Sequence, residues 1–142
     1  MKVLLINGSP HEKGCTYSSL SLFAEELNAS GIETEILNVG TKPVGGFVGC
    51  GGCAAGKVSV FGGVVNETIE KAKTADAFVF GTPVHYASAS GNMTSFMDRL
   101  AYAGGKYLAY KPAAICASAR RAGTTTTLDQ LVKYPQFFHM PL

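Results

Sequence analysis

The chain has 142 residues, of which 46% are hydrophobic and only 15% charged, and its net charge is +2. That length argues for one domain able to bury about 68–70% of its unfolded surface, and the composition excludes a disordered chain and a coiled coil. The basic residues are scattered, which excludes a nucleic-acid footprint, and the four cysteines are too unevenly spaced for a secreted disulfide framework. No apolar run approaches the roughly 18 residues of a membrane span, and Val3–Ile6 is too short for an export signal. A cytoplasmic protein with no membrane partner is expected.

Val3–Ile6 is continuously apolar and is ended by Asn7-Gly8-Ser9-Pro10, the pattern of a strand buried on both faces. Thr16–Ala29 predicts a helix whose apolar face carries Leu20, Phe23, Ala24 and Leu27, with Gly31 as its stop signal. Glu33–Val39 alternates, as a strand near an edge does. Gly40–Gly63 holds more than half of the 17 glycines and predicts a long functional loop. Asn66–Thr74 predicts a short helix. Ala75–Gly81 predicts a buried strand, with Pro83 marking the end of its ladder. Gly91–Ala103 predicts a helix with Met93, Phe96, Met97 and Leu100 facing inward. Pro112–Ala117 reads as a fourth strand and Thr124–Tyr134 as a last helix. Strands that alternate with helices in this way predict an α/β fold, a parallel sheet with helices on both faces. Ligands of such sheets bind at the carboxyl ends of the strands, so the loops Asn7–Cys15, Gly81–Gly91 and Ser118–Thr124 are the candidate site.

The first loop, continued to Ser18, follows a strand and opens a helix, where backbone N–H groups collect anions. Ser9, Thr16 and Ser18 add hydroxyl donors, and Gly8 and Gly14 allow close approach, so a phosphate site is expected. Four familiar motifs fail. No G-x-G-x-x-G is present, and Cys15 stands where a triphosphate-binding loop needs lysine. His11-Glu12 lacks the second histidine of a zinc protease, again at Cys15. Cys116 lacks the arginine six positions on that a cysteine phosphatase uses, because residue 122 is alanine.

Gly8-Ser9-Pro10…Gly14-Cys15-Thr16 resembles the phosphate-loop signature of the flavodoxin-like NAD(P)H-dependent FMN reductases. Gly81-Thr82-Pro83-Val84-His85-Tyr86 resembles that family's second flavin loop. Gly91-Asn92-Met93-Thr94-Ser95-Phe96-Met97-Asp98-Arg99 resembles the helix that follows it. The resemblance implies a flavodoxin-like doubly wound sheet of order 2-1-3-4-5 binding FMN, with NAD(P)H as co-substrate. It implies a phosphate site at Ser9, Pro10, Thr16, Tyr17 and Ser18, and a ring wall at Pro83, Val84, His85 and Tyr86. Ser118, Ala119, Arg120, Arg121 and Gly123 would close the other edge, with Arg120 or Arg121 stabilising the reduced ring. Asp98 and Arg99 read either as a subunit contact or loop anchor, or as a solvated helix end.

Cys50-Gly51-Gly52-Cys53 admits an iron–sulfur cluster, zinc or a redox dithiol. A cluster normally takes four thiolates, and a structural zinc site four ligands. Related iron–sulfur flavoproteins carry four cysteines in this region, but here the run stops after two, with Gly56 where a third is expected. The resemblance therefore implies a remnant loop, its thiols reduced or paired, and no cluster; Cys50 and Cys53 are the metal candidates that remain. Cys116 reads as a buried, inert thiol and Cys15 as a small residue beside the phosphate loop.

The expected activity is FMN-dependent electron transfer from NAD(P)H to a flavin, quinone or similar small acceptor. No catalytic side chain is needed, because the flavin carries the chemistry. A flavodoxin-like electron carrier is the alternative, although a net charge of +2 is unlike the acidic surface such carriers use. A flavin-free binding remnant is the third reading. A homodimer or homotetramer is expected, with helix 92–103 and loop 40–63 as contact surfaces. The fold is expected to be one C-terminally short domain over 1–142, with a fifth strand only beginning near Phe138–Leu142.

Overall fold

A computed structural model describes residues 1–54 and 58–142. The elements in chain order are β1 (Lys2–Asn7), α1 (Cys15–Ala29), β2 (Glu33–Asn38), α2 (Val64–Ala72), β3 (Ala77–His85), β4 (Ser88–Ala89), α3 (Gly91–Gly104), β5 (Ala113–Ser118) and α4 (Thr124–Phe137). β1, β2, β3 and β5 pair in parallel in the order β2-β1-β3-β5, and the two-residue β4 folds back antiparallel on the end of β3. This is the expected flavodoxin-like order through its fourth position. No fifth parallel strand is present among the described residues, and none of their helices is long and apolar enough to cross a membrane.

The side-chain alternation of β1 and β3 splits the core in two. Leu4, Ile6, Phe78 and Phe80 face α2, α3 and α4, where Ile69, Met93, Phe96, Met97, Leu100 and Leu131 are buried. Val3, Leu5 and Val79 face α1, which buries Leu20 against them. The inward face predicted for α3 is thus correct at all four positions. The face predicted for α1 is correct at Leu20, Ala24 and Leu27, which pack on that cluster, but Phe23 is exposed, as is Leu22. Among the described residues α1 is the only helix on its side of the sheet, so no second helix covers its flank.

The strand end predicted from proline is wrong, and the last helix runs past its expected end. β3 runs through Pro83 to His85, because β1 leaves it at Gly81 and the strand needs no further N–H on that side. α4 continues through Pro135 to Phe137. Phe138–Leu142 does not begin a strand; it turns back, and the Pro141 carbonyl accepts from the Ala113 N–H at 2.8 Å. Loop 40–63 contains no strand or α-helix among its described residues; Gly56, where a third cysteine was expected, lies outside them.

β2 is an edge strand tied to the sheet by charge as well as by its ladder. Glu35 pairs with Lys71 of α2 at 2.5 Å and with Lys2 of β1 at 3.0 Å. Lys71 first, and Lys2 second, hold the Glu35 carboxyl below its usual range. A folded value below the unfolded one means stabilisation that is full above the unfolded pKa and lost as pH falls through the folded one. Glu35→Gln should therefore flatten the loss of stability below about pH 4.3 and cost about 0.2–1 kcal/mol at neutral pH, read by urea unfolding at a series of pH values. Leu20→Ala removes the one large buried residue that α1 contributes, and should cost about 2–5 kcal/mol in the same assay.

Candidate functional site

The carboxyl ends of β1, β3 and β5 converge on the predicted loops. α1 starts at Cys15 after Gly14, with no side-chain cap and no acidic residue in its first turn. A 15-residue helix therefore presents free N–H groups at its start, beside the buried hydroxyls of Ser9 and Thr16. The loop is shaped in advance. The Asn7 Oδ1 accepts from the Ser9 N–H at 3.1 Å, and the Ser9 Oγ accepts from the His11 N–H at 3.0 Å, leaving the Ser9 proton free. Thr16 Oγ1 lies 2.7 Å from Ser118 Oγ, which joins the first loop to the third. Ser18 is exposed and its hydroxyl donates to the Gly14 carbonyl, so it is turned away from the cradle. Tyr17 is half-buried on α1.

Pro10 and His85 line one open cleft with Ser90, Gly91 and Asn92 of the α3 start. Ser90 and Asn92 are cleft-lining positions that the sequence reading did not single out. The Ser90 hydroxyl donates to the Gly8 carbonyl at 2.7 Å and accepts from the Met93 N–H at 3.3 Å, and the Ser90 N–H donates to Thr82 Oγ1 at 3.1 Å. A serine ahead of the Gly91 helix is an ordinary N-cap signal, so Ser90 was open to discovery. Asn92 donates to the carbonyls of Gly40 and Lys42 at 2.9 and 3.0 Å, and accepts from the Val44 N–H at 3.1 Å. No local pattern announces that role, because its partners lie about fifty residues away.

β3 and β4 form a hairpin whose turn residues, Tyr86 and Ala87, both have positive φ, 52° and 59°. A two-residue hairpin needs that geometry, but L side chains rarely adopt it, so the turn holds local strain. α4 supplies the restraint: Thr126 Oγ1 donates to the Ala87 carbonyl at 2.8 Å, and Gln130 Oε1 accepts from Ser88 Oγ and the Ala89 N–H at 2.8 and 3.0 Å. Gly123, at φ +95°, lies so close to Ala87 and Val84 that no Cβ would fit. The hairpin therefore packs onto the third loop, as a site shared by both requires. Tyr86 stands at its tip, fully solvent-exposed and outside the Pro10–His85 cleft. Pro83 and Val84 are half-buried, and Ala119, Arg120 and Arg121 are exposed on the loop after β5.

Arg99 is buried rather than solvated and bonds to Gly45, Ser59 and Gly62, so it is the anchor of the glycine-rich loop; Asp98 instead accepts a hydrogen bond from Tyr134. Burial pushes the Cys116 thiol up to about 11, as befits an inert core cysteine. Among the described residues no three metal-ligating side chains come together. One chain supplies two neighbouring thiols at Cys50 and Cys53, which does not satisfy an iron–sulfur cluster.

An open α/β sheet with an anion cradle at one strand end and a cleft beside it defines a nucleotide-phosphate-binding class. The chain belongs to the NADPH-dependent FMN reductase family, whose model it matches over residues 1–142. It is 37% identical over 103 residues to an iron-sulfur flavoprotein of Methanocaldococcus jannaschii, across 70% of this chain and 51% of that protein. It spans about half the length of the curated relatives it matches. A crystal structure of an NADH:FMN oxidoreductase in apo form shares its fold at a TM-score of 0.69 and 21% identity, covering 98% of this chain and 70% of that one. A flavodoxin from the domain Archaea does so at 0.67 and 14%, covering 99% and 76%.

Gly40 is the most sensitive position here: a Cβ would lie 2.4 Å from the carbonyl oxygens of both Gly8 and Ser9. Gly40→Ala should displace the cradle and weaken FMN binding by at least ~10-fold, read by quenching of flavin fluorescence, while far-ultraviolet circular dichroism stays near wild type. With the folded chain alkylated at pH 8, Cys116 should stay unmodified while exposed Cys15 and Cys50 react, read by peptide mass.

Proposed function

We propose that this chain is an FMN-dependent NAD(P)H oxidoreductase whose acceptor is a flavin, a quinone or a similar small molecule. The observation that carries the reading is the uncapped start of α1, opening beside the buried Ser9 and Thr16 hydroxyls next to the Pro10–His85 cleft. The donor set suits a phosphate monoester, which wants several N–H and O–H donors, and the carboxylate of the loop, Glu12, is taken up by Asn38. Family membership supports FMN as the group that carries it. Bound FMN would supply two-electron chemistry, taking hydride from a nicotinamide and returning electrons to an acceptor.

The side chains would bind and orient. The amides of Cys15–Tyr17, with Ser9 and Thr16, would hold the phosphate. Pro10 and His85 would flank the ring, and Ser90 and Asn92 would keep the loops at either side in register. Arg120 and Arg121, on the loop after β5, would place positive charge near the ring edge and favour its reduced, anionic form. Phe47, Phe61 and Tyr102 form an exposed apolar surface beside the cleft's α3, which supports a homo-oligomer.

The test is reconstitution. The chain should take up about one FMN and then oxidise NADPH or NADH with a free flavin or quinone present. Thr16→Val should raise the FMN Kd by about 10–100-fold, the loss expected for a hydrogen bond to a charged group. A flavin-loaded protein that oxidises neither nicotinamide with any acceptor would be an electron carrier, and the enzymatic reading would fall. A chain that takes up no FMN would remove both.

A further inference from the structure

Arg99 is a buried charge with no counter-charge among the described residues. It stands on α3 two turns beyond Asn92, about 10 Å along the helix axis, and is 6% exposed. Its Nη2 donates to Ser59 Oγ and the Gly62 carbonyl, both at 3.1 Å, and its Nη1 to the Gly45 carbonyl at 3.4 Å, which is long for such a bond. Its Nε has no partner among the described residues. Those three bonds leave two of the five N–H donors of the guanidinium unspent. All three acceptors are neutral. The carboxylates of the neighbouring α2 lie beside lysines, Glu67 3.9 Å from Lys71 and Glu70 2.5 Å from Lys73, and Asp98 accepts from Tyr134. Residues 55–57 are Ala, Gly and Lys, so they add no carboxylate. Burying a cation without an anion is costly enough that a missing anion should be sought.

Arg99 lines an open cleft of about 400 Å³ between segments 43–48 and 61–64. Its walls are Val44, Val48, Phe61 and Val64, and the Phe61 ring lies 5.5 Å from the guanidinium carbon. A Cβ on Gly45, Gly62 or Gly63 would meet nothing within 4 Å, so the backbone around the guanidinium leaves open space. α2 begins in this cleft at Val64, after Gly63 and with no side-chain cap. The Gly63 carbonyl takes the N–H groups of Asn66 and Glu67, while the Val64 N–H has no partner among the described residues. An uncapped helix start and an under-used, buried guanidinium therefore meet in one space, and its volume lies in the range of small-molecule sites.

The chemistry of the cleft selects among anions. Its donors are few, and Glu67 stands in the first turn of α2, which disfavours a doubly charged phosphate. A carboxylate carries one charge and suits a guanidinium. The apolar walls ask for more than a bare ion: they fit the body of an organic acid.

We propose that this cleft binds a small aromatic carboxylate, its charge on Arg99 and the start of α2 and its ring against Val44, Val48 and Phe61. Lys42, exposed next to Pro43 of the cleft and in no ion pair among the described residues, adds attraction on approach. The site is distinct from the Pro10–His85 cleft. The two share no lining residue, and Asn92 joins them only by accepting the Val44 N–H. The inference does not rest on the activity proposed above.

The test is a calorimetric titration of the full 142-residue chain with 2-naphthoate and with the neutral 2-naphthamide, each with and without saturating FMN. About one naphthoate should bind per chain, with a Kd that FMN leaves unchanged and that lies at least ~10-fold below that of the amide. Arg99→Gln should weaken naphthoate at least ~10-fold and bring the acid and the amide to similar affinities. Val48→Glu, at an exposed position on the wall, should also weaken naphthoate at least ~10-fold, because the chain then supplies its own anion. Circular dichroism should stay near wild type in this second variant, which decides the matter if Arg99→Gln does not fold. The proposal is overturned by the absence of saturable naphthoate binding, by an amide that binds as tightly as the acid, by displacement of naphthoate by FMN, or by full naphthoate affinity in Val48→Glu.

Discussion

Ser90 is the residue through which the two halves of the site depend on each other. Its hydroxyl gives its proton to the Gly8 carbonyl and accepts from the Met93 N–H, while its own N–H is held by Thr82. All of this is buried, where hydrogen bonds are strong and an unmade one is costly. The first loop, the end of β3 and the start of α3 therefore cannot move separately. Gly8 packs so closely on Met93 that a Cβ would lie 2.7 Å from its sulfur, so the same contact that shapes the loop also closes the core beneath it.

From that junction the stability of the site spreads outward through progressively longer-range restraints. Asn92 fastens the segment after β2 to α3, and Gly40 lets that segment lie directly on the first loop. Arg99 continues the same work two turns on, tying Gly45, Ser59 and Gly62 to the helix. α3 is thus a spine with the cleft at its start and the glycine-rich excursion along its side. On the other flank, Thr126 and Gln130 of α4 hold the hairpin turn in a conformation that its own residues disfavour. Strain kept in place by a neighbouring helix suits a loop that must present its backbone in one orientation.

The two thiols sit at the end of this spine rather than at the cleft. That separation matters for how the chain compares with its iron-sulfur flavoprotein relatives, since two cysteines cannot satisfy a cluster within one chain. What one chain retains is a turn with two soft ligands, a buried cation and an uncovered apolar rim.

The parallel character of the sheet, the inward face of α3 and the hydroxyl-lined start of α1 were legible in the amino-acid sequence, whereas the strand order followed from the family resemblance. They rest on local signals: short β-branched runs, helical spacing of Met93, Phe96, Met97 and Leu100, and hydroxyls beside glycines at a helix start. Phe23 was misread because periodicity shows which face is apolar and not whether anything covers it. β3 outran Pro83 because the cost of a missing N–H depends on whether a neighbouring strand is there to receive it, and β1 had already ended. The Gly8 partner of Ser90 lies 82 residues away, those of Asn92 48–52 and those of Arg99 37–54, so no short window along the chain contains both ends of those bonds. Local chemistry by itself determined which groups each loop offers to a ligand. Only the tertiary structure decided which loops meet, because that depends on buried groups finding partners across the fold.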